Sequence, residues 1–218
     1  MTELRSQKYW RNRPAEERLR NTSIPKRFRT DTLDTFKPSE RDRDSWELIN
    51  KWVDKAPEMV DRGQGLYICG GTGSGKTHLA QALLKRVVYT HNLCGAFITA
   101  DNYLQYAYNE NKFEKELPEG YEDPNTMKYM REVFDILVID SLGTERSTDF
   151  ARRTISSLIE SRYHNQLTTV MTSIYKPSSL DQMYGANLQS IIKSSCYIAP
   201  LKSDDYRIKD WMEKSTGK

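Results

Sequence analysis

The chain has 218 residues, 37% hydrophobic and 29% charged. That length suits one α/β domain with a sizeable core plus a short appendage, and the composition excludes disorder throughout. No apolar run approaches the about 20 residues that span a membrane, and the basic N-terminus has no apolar stretch behind it, so a membrane segment and a secretory signal are both excluded. The three cysteines, Cys69, Cys94 and Cys196, lie far apart and read as reduced cytosolic thiols used in packing.

The net charge of +3 is unevenly spread. Residues 1–30 carry nine basic side chains against three acids, and the remainder has 24 basic and 27 acidic residues. A basic arm on a mildly acidic globule implies a polyanion, or an acidic protein surface, as partner of the arm. Residues 1–21 are read as this arm, 22–208 as the globular domain and 209–218 as a tail. Arg5, Lys8, Tyr9, Trp10, Arg11 and Arg13 are the arm's candidate contacts. Basic residues interleaved with Tyr9 and Trp10 suit phosphate contacts and base stacking on single-stranded nucleic acid. They suit equally an acidic protein surface with Trp10 as anchor, or a solvated tail that cannot build a core.

Pro25 makes residues 24–28 an extended entry segment. A helix is predicted at about 40–54, with Ser39 as N-cap and Trp46, Ile49, Trp52 and Val53 on one face. The strand Leu66–Cys69 runs into a glycine-rich loop, and a helix follows over about 76–90. Ala96–Thr99 reads as a short strand, and 101–131 as helical in parts, broken by Pro118, Gly120 and Pro124. Phe134–Asp140 is a strand buried on both faces. A helix at 150–163, a strand at Thr168–Thr172, short helices near 178–184 and 187–195, and a strand at Tyr197–Leu201 follow. Strands alternating with helices give an α/β fold, a parallel sheet with helices on both faces.

Gly70-Gly71-Thr72-Gly73-Ser74-Gly75-Lys76-Thr77 matches G-x-x-x-x-G-K-[ST] between a strand and a helix, the setting of a P-loop. Glycines let backbone N–H groups curl around phosphate oxygens, and the helix start adds positive potential. Lys76 reaches the β- and γ-phosphates and Thr77 ligates Mg²⁺. Asp140, ending the strand 136–140, is the second magnesium-side residue. The ligand is thus ATP or ADP with Mg²⁺, held by Gly71, Thr72, Gly73, Ser74, Gly75, Lys76, Thr77 and the adjacent His78.

With these residues in place the sequence resembles a family. The order is Ile24-Pro25-x-Arg27-Phe28, the P-loop with Lys76-Thr77-His78-Leu79-Ala80, and Ile98-Thr99-Ala100-Asp101. Then come Leu137-Val138-Ile139-Asp140-x-Leu142-Gly143, Glu160-x-Arg162-Tyr163, Thr169-Val170-x-Thr172-Ser173 and Asp205-Tyr206-Arg207. Over residues 22–207 this is similar to the AAA+ ATPases of the bacterial helicase-loader group, the DnaC/DnaI type, and to IstB-type transposition helpers. The resemblance implies a P-loop NTPase with an AAA+ core, a replicative helicase and single-stranded DNA as partners, assembly into a homo-oligomer, and Arg207 as a second nucleotide sensor. The helicase-docking domain of full-length loaders is absent or reduced to residues 1–20. A chain of this kind resembles a phage-encoded or mobile-element version, acting in bacterial or host cytoplasm.

The departures from the family pattern bear on chemistry. Where the family has an acid that polarises the attacking water, this chain has Ser141. The sensor Asn position is Ile174, and the arginine-finger position is Ile191. Losing a general base costs roughly 10²–10⁴ in rate and losing an arginine finger roughly 10³–10⁵. The expectation is a protein that binds ATP and hydrolyses it weakly or not at all. Glu145 and Lys193 lie near the lost positions as substitutes, though an ordinary solvated charge accounts for either. The expected function is helicase loading in DNA replication. Rivals are a transposition helper on duplex DNA, a nucleotide-locked inhibitor of a host helicase, and a small-molecule P-loop kinase. The kinase lacks support, because no arginine-rich lid segment follows the metal strand.

Overall fold

A computed structural model describes residues 2–20, 22–110 and 127–206. In chain order the elements are α1 (Thr2–Arg11), α2 (Ala15–Arg20), α3 (Arg43–Asp54), α4 (Ala56–Asp61), β1 (Gly65–Gly70), α5 (Lys76–Thr90), β2 (Gly95–Thr99) and α6 (Ala100–Glu110). They continue with α7 (Met127–Glu132), β3 (Ile136–Leu142), α8 (Asp149–His164), β4 (Thr168–Ser173), α9 (Asp181–Tyr184), α10 (Ala186–Ser195) and β5 (Cys196–Leu201). The five strands form one sheet in the order β2-β3-β4-β1-β5, and every neighbouring pair is parallel.

Parallel strands must be linked by crossovers, so helices cover both faces and the central strands are apolar throughout. Alternation then sorts their side chains. Tyr67, Cys69, Leu137 and Ile139 join the core on one face with Leu158, Ile159 and Leu188. Leu66, Ile68, Ile136 and Val138 join the other with Ile49, Trp52, Leu79, Leu83 and Val87. The second face is covered by α3 and by α5, whose apolar residues recur at three- and four-residue spacing. Cys69, Cys94 and Cys196 are buried and unpaired, and burial raises all three thiol pKa values, that of Cys196 to about 12. No helix among the described residues is long and apolar enough to cross a membrane.

Arg162 anchors the base of this architecture. Its side chain is completely buried on α8. It donates to Met130 O at 2.6 Å, Phe134 O at 3.0 Å, Thr168 O at 2.7 Å and Thr169 Oγ1 at 3.1 Å. These acceptors satisfy a buried cation and staple the end of α7 to the starts of β3 and β4. Desolvation lowers the guanidinium pKa to about 9.

The N-terminal stretch departs from the sequence expectation. It forms α1 and α2, and it borrows the domain's core instead of building its own. Trp10 is only 8% exposed and packs in the first core cluster. Arg11 makes a bidentate pair with Asp135, its Nε at 2.9 Å from Oδ2 and its Nη2 at 2.5 Å from Oδ1. Arg18 is buried and donates to Val88 O on α5 at 2.9 Å. The short helix α4 also goes beyond the expectation, and Pro57 in its first turn suits a helix start. The C-terminal segment 207–218 and the interruptions at Pro118, Gly120 and Pro124 lie outside the described residues.

Candidate functional site

β1 delivers the chain to the loop 71–75, and α5 leaves it at Lys76. The loop closes because Gly73 and Gly75 take left-handed backbone, at φ +73° and +92°. Space demands glycine there as well. A Cβ on Gly75 would lie 2.5 Å from the Phe36 ring, and one on Gly73 would lie 1.8 Å from Asp205 Oδ1. Lys76 is nearly buried, and its Nζ donates to Gly70 O at 2.9 Å and Gly71 O at 2.7 Å. Its charge therefore already faces the loop. The Ser74 hydroxyl is fully buried without a hydrogen-bond partner. A cradle of backbone N–H groups, a converging ammonium and an unsatisfied hydroxyl fit a phosphate chain.

Thr77 and Asp140 lie side by side. Thr77 Oγ1 donates to Asp140 Oδ1 at 2.9 Å, and Asp140 is 5% exposed. Thr172 on β4 also donates to Asp140 Oδ1, at 2.6 Å. Ser141 Oγ donates to Oδ2 at 3.2 Å. These hard oxygens suit Mg²⁺. No group of three or more His, Cys, Asp or Glu among the described residues makes an all-protein metal cage. Thr172 was not singled out from sequence, although it stands in the quoted Thr-Val-x-Thr-Ser run.

Ser141 occupies a bulge. The β3–β4 register shifts between Ile139 and Leu142, and Ser141 sits at φ +63°. Its N–H donates to Thr172 Oγ1 at 2.9 Å, which holds the bulge in place. The residue following Asp140 is thus fixed by the backbone and carries no acid. Glu145 does not fill that gap. It is buried, its Oε2 accepts from Gly143 N–H at 2.9 Å, and its Oε1 accepts from the Tyr184 hydroxyl. Both oxygens are spent fastening the β3–α8 loop to α9, and burial raises the carboxyl pKa.

The other expected positions separate. Ile174 follows β4 and is 43% exposed, so this position presents an apolar side chain at the surface. Ile191 is buried in the core under α10. A buried isoleucine cannot project to a neighbour as a finger must, so this side chain supplies none. Lys193 is exposed and bonds Gln189 on its own helix at 3.0 Å, the behaviour of a solvated charge. Arg207 lies outside the described residues. His78 turns away from the loop, with Nδ1 3.1 Å from Asp31 Oδ2 and Nε2 2.9 Å from Thr32 O. It positions the segment 31–36, which places Phe36 against Gly75.

On the arm, Lys8 and Tyr9 are exposed, and the Arg13 guanidinium lies 4.3 Å over the Tyr9 ring. Trp10 and Arg11 are engaged within the domain, which corrects their assignment as partner contacts. The Arg5 side chain lies outside the described residues. A different surface combines aromatic and basic groups. Tyr108 on α6 and Phe150 on α8 are exposed, and their rings meet edge to face at 6.3 Å. Arg146, Arg152 and Arg153 are exposed around Phe150.

Comparison with known proteins gives a consistent result. Residues 4–214 match the family described as IstB-like ATP binding protein. The chromosomal replication initiator protein DnaA of Streptococcus thermophilus is 28% identical over 142 residues, covering 62% of this chain. The chain spans only 30% of that curated relative. A crystal structure of the DnaC helicase loader superposes with a TM-score of 0.71 at 28% identity, covering 82% of this chain and all of that one. A structure of DnaI gives 0.65 at 19%, covering 84% and 94%. One of replication initiator DnaA bound to AMPPCP and single-stranded DNA gives 0.65 at 18%, covering 88% and 56%. These last two bear on fold alone.

Proposed function

This chain belongs to the IstB-like ATP binding protein family, and we propose that it is a helicase-loader-type protein that uses bound MgATP as a structural switch more than as fuel. In this reading it engages a replicative helicase and single-stranded DNA during replication. One observation carries it. Lys76 lies in the loop and Thr77 meets Asp140, an arrangement that supports phosphate and metal binding, and the adjoining position is Ser141.

When bound, MgATP supplies a polyanion whose charge the metal partly neutralises. The loop amides and Lys76 would hold the phosphates, and Thr77 and Asp140 would hold the metal. Ser141 has no group that can take a proton from water near neutral pH, so the residues that bind are separated from the step that cleaves. The surface of Tyr108 and Phe150 with Arg146, Arg152 and Arg153 supports single-stranded nucleic acid, since stacking and phosphate pairing need exposed aromatic and basic groups together. The exposed part of the arm, Lys8 and Tyr9, is the proposed contact for the helicase.

The test is a purified-protein ATPase assay with and without DNA and helicase, beside a nucleotide-binding titration. Tight binding with little phosphate release supports the switch. Turnover like that of an ordinary AAA+ enzyme, abolished by Lys76→Ala, would overturn it. The family match also supports a second reading, an ATP-dependent helper of transposition on duplex DNA. Filaments on duplex DNA in the electron microscope would favour it over helicase loading.

A further inference from the structure

The carboxylate of Asp205 lies against the phosphate loop. Its atoms are the nearest ones in the direction a Gly73 side chain would take, at 1.8 to 2.4 Å from the Cβ position. The next residue is bonded to the same glycine, with Tyr206 N–H donating to Gly73 O at 3.0 Å. Residues 202–206 are also held to the entry segment. Lys202 N–H donates to Asp42 Oδ1 at 2.6 Å, and the hydroxyls of Ser203 and Ser39 lie 3.0 Å apart. Tyr206 OH donates to Lys37 O at 2.9 Å, and its ring meets Phe36 at 5.6 Å. The segment is a strap that ties the entry segment to the loop and carries an anion to it.

A loop built to attract phosphate attracts any anion nearby. A tethered carboxylate is present there at high effective concentration. An incoming polyphosphate must either tolerate a like charge at close range or displace it. We propose that Asp205 is a tethered anion that competes with nucleotide phosphates for the loop, so that closure of the strap on Gly73 and tight nucleotide binding exclude each other. The strap is then the part of the molecule that nucleotide moves. The inference rests on the reading of the loop as a nucleotide site.

The test is titration of MgATP and MgADP into the full chain, into Asp205→Asn and Asp205→Ser, and into Asp204→Asn. Asp204 is the control for general surface charge, since its side chain is 96% exposed and pairs with Arg41 at 3.1 Å. Both Asp205 variants should bind about tenfold more tightly, as expected if the strap is closed nine-tenths of the time. Asp204→Asn should bind as the unmodified chain does. Unchanged or weaker binding by the Asp205 variants overturns the inference, and so does equal tightening by Asp204→Asn. If the unmodified chain binds nucleotide while the Asp205 variants match it, only this inference falls. If neither they nor the unmodified chain binds nucleotide, the reading of the loop falls with it. Binding gained only in the Asp205 variants supports both.

Discussion

Thr77 Oγ1 and Asp140 Oδ1 meet at 2.9 Å across 63 residues of sequence. The contact joins the first turn of α5 to β3, and it brings together two hard oxygens of the kind that suit Mg²⁺. Removing either oxygen should act on the metal more than on the phosphates. Thr77→Ala and Asp140→Asn are expected to weaken MgATP binding about tenfold or more, the scale seen when a metal site loses a supporting group. Binding measured in chelator should change little. Lys76→Ala should weaken both, which separates the two halves of the site.

Ser141 sits at φ +63°, a conformation that Asp and Asn adopt more readily than Glu. If the missing acid limits hydrolysis, Ser141→Asp should raise phosphate release by about 10², the lower end of what a general base supplies. Ser141→Asn has the same shape without the charge and should leave release unchanged. Equal rates for the two variants would show that the acid is not what the site lacks.

The N-terminal helices should be a stability element. Trp10→Ala removes a buried aromatic and is expected to cost about 3–5 kcal/mol in denaturant unfolding. Arg11→Ala leaves Asp135 buried with the Cys94 N–H and thiol contacts of 2.9 and 3.1 Å and the more distant charge of Arg162. A cost of about 2 kcal/mol is expected, because the arginine itself is half-exposed. Values near zero for both would mean that α1 is not docked in solution.

Glu145 gives a pH dependence of known sign. Burial raises its pKa above the ordinary carboxylate value, so the folded chain holds this proton more tightly than the unfolded one. Its contribution therefore favours folding at acid pH and is lost as pH rises from the unfolded pKa through the folded one. Glu145→Gln can accept from Gly143 N–H and donate to Tyr184, so it should keep the fold and flatten this part of the stability profile. Glu145→Ala leaves the Tyr184 hydroxyl without this partner and should cost about 1–3 kcal/mol.

The nucleic-acid reading depends on aromatic stacking. Tyr108→Ala and Phe150→Ala should each weaken binding of a single-stranded oligonucleotide by about 1–3 kcal/mol, measured by fluorescence anisotropy. Lys8→Glu should leave that affinity unchanged and reduce capture of a replicative helicase. A loss of oligonucleotide binding in Lys8→Glu alone would return the nucleic-acid site to the arm.

What was legible in the sequence was local. Gly70 to Thr77 specify their loop by glycine spacing, and β1 and β3 announce themselves as unbroken apolar runs. The docking of α1 was not legible because its partners are remote: Asp135 lies 124 positions from Arg11. A lone Trp among basic residues looks the same whether it fills a slot in another element or meets solvent. Ile191 shows the converse. Aligned motifs mark it as the arginine-finger position, and what they do not show is that the 3.6-residue repeat of α10 turns the side chain inward with Leu188 and Ile192. Glu145 read as a free charge because its fastener, Tyr184, is 39 residues away.

The three buried thiols make the molecule its own reporter. A thiol pushed up by burial is inert to alkylation until its surroundings open, so tagging rates count opening events. Cys94 bonds Asp135 beneath α1 and should be tagged when the helix undocks. Cys69 precedes the phosphate loop, and Cys196 lies at the foot of β5. Mass spectrometry of tagged peptides, with and without nucleotide, would time the loosening of three places in one unlabelled chain.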